Sequence, residues 1–199
     1  MATGTLCDVF GLDEKYVVDI ADGVMSLDKQ LANCSFKDDI SVLTQVNGET
    51  KCAALTVFMY PLFCNMDILN AYGFTEAPKT RSEFAAIAKA VTDPSKSQYG
   101  WVLPYPIKSS TGTRIETMSL YWTNGYSMKA NGQPDLVDNA ALIATLEFVK
   151  DMYDTAVSPG AFNKTEQDKL EEFASGRSGL LFALGKFALV IKRRRLVFD

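Results

Sequence analysis

The chain contains no histidine. Its absence excludes Ser-His-Asp and Cys-His nucleophilic catalysis, HExxH zinc chemistry and the commonest transition-metal ligand. Cysteine is scarce, with Cys7, Cys34, Cys52 and Cys64 the only four. No two stand in a C-x-x-C spacing, which argues against a zinc site or a thioredoxin-like centre. They read as buried or half-buried thiols, although spacing alone leaves disulfide pairing open. No apolar run reaches the roughly 18 residues of a membrane span. Basic charge is also in short supply. The net charge is −4, whereas neutralising nucleic-acid phosphates takes clustered Lys and Arg. Met1-Ala2-Thr3-Gly4 has neither the basic start nor the hydrophobic stretch of a secretion signal, so none is expected in this chain. No cofactor and no metal site are expected either.

What is present suits a folded protein. At 199 residues, 47% apolar and 22% charged, the chain has enough apolar residues for one large domain or two small lobes. Residues Asn65–Pro94 are the most informative stretch. An apolar segment (Ala53–Cys64) runs into a short helical turn, Gly73 stops it, and Pro78 leads to a second helix. Thr80 as N-cap and Glu83 three residues on predict a capping box. Phe84, Ile87, Ala88 and Val91 then recur at helical spacing and predict one buried stripe, which Asp93-Pro94 ends.

Elsewhere, Asp13–Ala21 reads as a helix ended by Gly23. Asn47-Gly48 is a turn signal between strands Ile40–Val46 and Lys51–Phe58, the second expected to be buried. Gln98–Leu103 predicts a buried strand broken by Pro104, and Arg114–Trp122 a helix. Asn139–Ala156 predicts a long helix with Leu142, Ile143, Leu146, Val149, Met152 and Tyr153 on one side. Thr165 and Asp168 cap a further helix that Gly176 ends, and Leu180–Leu184 predicts a short buried strand. Trp101 and Trp122 are both assigned to the core. Strands alternating with helices predict an α/β architecture with substantially parallel pairing. The final Val190–Asp199, with Lys192-Arg193-Arg194-Arg195 inside it, has no helical stripe and reads as a basic tail foreign to the fold.

The order of these features resembles the extracellular solute-binding proteins of ABC importers, in the sugar-binding family that includes maltose-binding protein. The resemblance rests on Asn65-Met66-Asp67-Ile68-Leu69, Ala71-Tyr72-Gly73, Pro78-Lys79-Thr80-Arg81-Ser82-Glu83-Phe84, and Asp93-Pro94 with Tyr99-Gly100. It continues through Thr123-Asn124-Gly125-Tyr126, Asn131-Gly132-Gln133-Pro134, Phe173–Leu180 and Gly185-Lys186-Phe187, with Gly4–Phe10 upstream. The chain departs from the family pattern at Cys7 (for proline), Cys64 (for tyrosine), Arg81 and Phe187 (both for tryptophan). Family members are about twice this long, so the resemblance implies a partial chain.

The resemblance implies a periplasmic-binding-protein type II α/β fold of two lobes, here incomplete. Residues 1–57 would be part of the first lobe, 58–61 the hinge crossing and 62–189 an incomplete second lobe. It implies capture of a carbohydrate or other small solute in an interlobe cleft, with ABC permease subunits as partners, outside the cell or in the periplasm. The full-length protein would be a lipoprotein. Phe58, Met59, Thr113, Arg114, Gly185 and Phe187 would line the cleft, since aromatic faces stack on sugars and helix starts offer donors. Three of them have a plainer role open: Phe58 and Phe187 in packing, Arg114 as a solvated first-turn charge. Two competing functions remain, a truncated fragment that binds nothing and a glycoside hydrolase using two carboxylates. The acids counted against the hydrolase are Glu83, Asp93, Asp138, Asp168 and Glu171, which fall in caps, turns and helix surfaces.

Overall fold

A computed structural model of the chain describes residues 17–33, 45–53, 60–106, 116–123, 129–130, 133–134, 136–137 and 139–183. The chain divides into two compact units, Met1–Val57 and Phe58–Asp199. In the first unit, helix α1 (Val17–Ile20) runs into a 3-10 turn (Ala21–Gly23), with Val17 and Ala21 buried. Strands β1 (Gln45–Val46) and β2 (Glu49–Thr50) pair antiparallel around Asn47 and Gly48, whose φ angles are +54° and +82°. Two consecutive positive φ values make a two-residue hairpin turn whose twist matches the flanking strands. Pairing therefore resumes at Glu49 and not at the expected Lys51, and Lys51–Ala53 lies outside any strand, with Ala53 exposed. Asp28 ties the preceding turn to β2, accepting from Thr50 N–H at 3.1 Å and from Ser26 Oγ at 2.8 Å. The Thr50 side chain foremost, then Ser26 and the Thr50 backbone, hold its carboxyl below the usual range by hydrogen bonding.

The second unit is built on a three-stranded sheet. In chain order it contains β3 (Leu62–Cys64), α2 (Met66–Ala71), α3 (Arg81–Ala90), β4 (Tyr99–Trp101) and α4 (Met118–Trp122). A hairpin of β5 (Lys129–Ala130) and β6 (Gln133–Pro134) follows, then α5 (Ala140–Thr155), α6 (Glu166–Ala174) and β7 (Ser178–Phe182). The last strand is central. It pairs in parallel with β4 (Trp101↔Leu180) and antiparallel with β3 (Leu62↔Phe182). The sheet is thus mixed, where mainly parallel pairing was expected. The helices between β4 and β7 return the chain for parallel pairing, whereas β3 approaches the other edge of β7 from the opposite end. The central strand also starts two residues earlier than expected. Ser178 pairs with Tyr99, and the Gly179 carbonyl accepts from Asn65 N–H at 2.8 Å, so these polar and small residues ahead of Leu180 belong to the ladder.

Alternation along the strands sorts the side chains into two layers. Leu62, Cys64, Trp101, Leu103, Leu180 and Phe182 pack on one face with Phe84, Ile87, Val149 and Met152 from α3 and α5. Phe63, Val102, Leu181 and Ala183 point to the other face and meet Leu170 and Phe173 of α6. Phe84 centres the first layer, edge-on to Trp101 at 5.3 Å and stacked on Phe182 at 5.8 Å.

The α3 stripe is buried as expected at Phe84, Ile87, Ala88 and Val91. Thr80 caps the helix, accepting from Glu83 N–H at 3.1 Å, but the box is not reciprocal. Glu83 reaches past Thr80 to Lys79 N–H at 2.7 Å. Arg81 lies over the Phe148 ring, 5.2 Å from its centroid, and donates to the Leu120 carbonyl at 2.5 Å. It thereby joins α3 to α4 and α5.

Two core assignments are corrected. Trp122 is 51% exposed, because Leu120 and Tyr121 take the inward positions of α4. On α5, Ile143, Leu146 and Tyr153 face outward, while Thr145, Val149 and Met152 are buried. The helix has apolar residues around most of its circumference, so spacing alone could not orient it. Thr145 is accommodated inside because its hydroxyl donates to the Ala141 carbonyl at 2.8 Å.

The α6 cap is fully reciprocal. Thr165 Oγ1 accepts from Asp168 N–H, and Asp168 Oδ2 accepts from Thr165 N–H at 2.8 Å. Replacing Thr165 with Ala is expected to cost about 1 kcal/mol. A denaturant midpoint lowered without a change in slope would register that loss.

Candidate functional site

Strand order decides which segments can meet. In α/β sheets ligands gather beyond the carboxyl ends of the strands. The carboxyl ends of β4 and β7 share one edge, and the antiparallel β3 begins at that same edge. The neighbouring residues there are joined. Ala183 N–H donates to the Pro61 carbonyl at 3.3 Å, and Tyr105 N–H to the Ala161 carbonyl at 2.8 Å. Tyr105 and Thr117 share a short hydroxyl–hydroxyl hydrogen bond, which brings the start of α4 beside the end of β4. Burial pushes the Tyr105 phenol above its usual range.

Phe58, Met59, Thr113, Arg114, Gly185 and Phe187 all lie outside the described residues. The described residues nearest them in sequence are Tyr60, Glu116 and Ala183.

Behind this edge lies a charge cluster that sequence reasoning missed. Lys169 of α6 is fully buried, and its ammonium sits 2.6 Å from Glu116 Oε1 and 2.7 Å from Glu166 Oε2. Burial lifts the Glu116 carboxyl to about 7, against the pull of Lys169. A second pair, Lys164–Glu172 at 2.7 Å, is nearly as enclosed, and Lys164 also reaches Ser158 Oγ through a short bond. The available signal was positional. Lys169 stands four residues before Phe173 and next to Leu170, on the inward side of an amphipathic helix. The two carboxylates are bridged by one ammonium, so they do not form the open acid–base pair of a glycosidase.

A shallow depression of about 370 Å³ is lined by Gly73–Lys79, Glu83, Ala86 and Ile87. It contains none of the residues at the sheet edge. Among the described residues no three Cys, Asp or Glu gather as a metal site, and no helix is long and apolar enough to cross a membrane.

Comparison with known structures defines the fold class as that of type II periplasmic binding proteins. One similar structure is an ABC transporter solute-binding protein from Agrobacterium radiobacter K84 in complex with ribitol. It is 21% identical with a TM-score of 0.73, over 87% of this chain and 45% of that one. Maltose-bound MalE3 of T. maritima is 19% identical with a TM-score of 0.71, over 87% and 45%. The sugar-binding protein MalE from Xanthomonas citri is 15% identical with a TM-score of 0.74, over 91% and 47%. The chain therefore spans a little under half the length of these structures. Over residues 1–195 the sequence matches the bacterial extracellular solute-binding protein family, and the chain belongs to that family.

Proposed function

We propose that this chain is the solute-capturing part of an ABC import system, outside the cell or in the periplasm, and that its solute is a carbohydrate or polyol. The observation that carries the reading is topological. The segments expected to supply ligand contacts adjoin described residues at one edge of one sheet: Tyr60-Pro61 at the start of β3, Glu116-Thr117 beside Tyr105, and Ala183 after β7. On this reading Phe58 and Met59 belong to the hinge crossing at 58–61, Thr113 and Arg114 offer donors at a helix start, and Gly185 and Phe187 supply a close approach and a stacking ring. Residues 1–57 would then be part of the first lobe and 62–189 an incomplete second lobe, with 190–199 a tail outside the fold. ABC permease subunits would be its partners. The full-length protein would be a lipoprotein without enzymatic activity.

The similarity to ribitol- and maltose-bound structures sets the order of ligands to try. A ligand at a hundred times its Kd stabilises the folded state by about 2.7 kcal/mol, a melting shift of several degrees. Such a shift with ribitol, maltose or xylose is expected, and Phe187→Ala should remove it while leaving the ligand-free melt unchanged. A cooperative melt that no sugar or polyol moves would favour the non-binding alternative for a chain of this length. Release of nitrophenol from a chromogenic glycoside would favour the hydrolase.

A further inference from the structure

In the second unit one ammonium serves two carboxylates. Lys169 and Glu116 have fully enclosed side chains, while Glu166 keeps 33% exposure. The second oxygens, Glu116 Oε2 and Glu166 Oε1, are buried and have no hydrogen-bond partner among the described residues. With both acids ionised the cluster sums to −1, and an unpaired carboxylate oxygen is held away from solvent at a cost. With Glu116 protonated the cluster sums to zero. Its members belong to different elements: Glu116 opens the turn into α4, whereas Glu166 and Lys169 sit in the first turns of α6. That helix leads directly into β7, the central strand.

We infer that Glu116, Lys169 and Glu166 form a proton-operated latch between α6 and the turn that opens α4, tight when Glu116 carries a proton and loosened when it ionises. Among the described residues, the charged and titratable groups facing Glu116 are Lys169 and Glu166 from α6, and Tyr105 from the segment after β4. Lys164 and Glu172 are committed to each other. Burial raises Glu116, so its contribution to stability is complete below the ordinary glutamate range and is lost as pH rises through about 7. Asp93 and Asp168 are shifted the opposite way by their hydrogen bonds, chiefly from Ser95 and from Thr165. They lose their contribution only in stronger acid and so add nothing to a change between pH 5 and 8.

Hydrogen exchange on the full chain tests the latch without any ligand, and so does not depend on the proposed function. After correction for intrinsic rates, the amides of 169–174 are expected to open about tenfold more at pH 8 than at pH 5.5, the equivalent of one pKa unit. Glu116→Gln should abolish the difference. Glu166→Gln, which removes the repelling carboxylate and keeps the fold's buried pair, should move it to lower pH. Equal protection of α6 at both pH values, or a difference that persists in Glu116→Gln or stays in place in Glu166→Gln, would overturn the latch.

Discussion

Gly100→Ala is expected to abolish the cooperative melting of the second unit. A Cβ at Gly100 would lie 2.0 Å from the Ala88 carbonyl oxygen and 2.5 Å from Ala88 Cα. Both atoms are backbone, so no rotamer change can relieve the clash. The strand cannot back away without breaking other bonds. Thr92 Oγ1 donates to the Ala88 carbonyl at 2.7 Å and accepts from Gly100 N–H at 2.9 Å, tying α3 to β4 at the same point. Pushing them apart would also open the contact between Phe84 and Trp101. A loss above about 4 kcal/mol is expected, a large part of a small unit's stability. Gly179 provides the control. Its Cβ would meet Val91 Cγ2 at 3.0 Å, the end of a side chain, and the Gly100 carbonyl at 3.4 Å. Gly179→Ala should therefore cost about 1–3 kcal/mol and leave a cooperative melt. If Gly100→Ala melts as sharply and as high as the parent, the close strand–helix approach is wrong.

The contrast shows what could be read in advance. Caps and breakers act locally, so Thr80, Thr165, Gly73 and Gly176 are where sequence placed them, with positive φ at both glycines. The two-layer core was partly legible from the α3 stripe. The direction of β3 was not, because pairing between strands distant in sequence is settled by packing and not by local preference. Trp122 and the outward face of α5 were misassigned for a related reason: a helix apolar around most of its surface carries no phase information. The buried charges were least legible. A lysine normally belongs outside, and only the position of Glu116 in space shows why Lys169 can be inside. At the candidate site, the resemblance indicated which segments to consider, and the sheet shows that the described residues beside them share an edge.

Lys169→Met should have the second-largest effect, and its size should depend on pH. Removing one partner from a buried ion pair leaves the other charge uncompensated, typically at about 3–5 kcal/mol. Glu116 has an escape that a permanently charged group lacks, since it can take up a proton. Burial already places it at about 7, with Lys169 the main force pulling it down. Without the ammonium its pKa must rise further. Below the ordinary glutamate range Glu116 is protonated in both folded and unfolded chains, so the variant should lose mainly the packing and hydrogen bonds of the lysine. As pH rises, the unfolded chain ionises freely while the folded variant must either hold its proton or bury a bare carboxylate, and the penalty grows through pH 8. The double variant Lys169→Met/Glu116→Leu removes the fully buried pair, leaving only the partly exposed Glu166, and should regain much of the loss with a flatter pH profile, because an apolar replacement of a buried pair is often neutral. Denaturant midpoints for parent, single and double variants at pH 5 and pH 8 would decide the matter. Equal losses in single and double variants at both pH values would mean that α6 is held by shape alone and that charge at Lys169 contributes nothing.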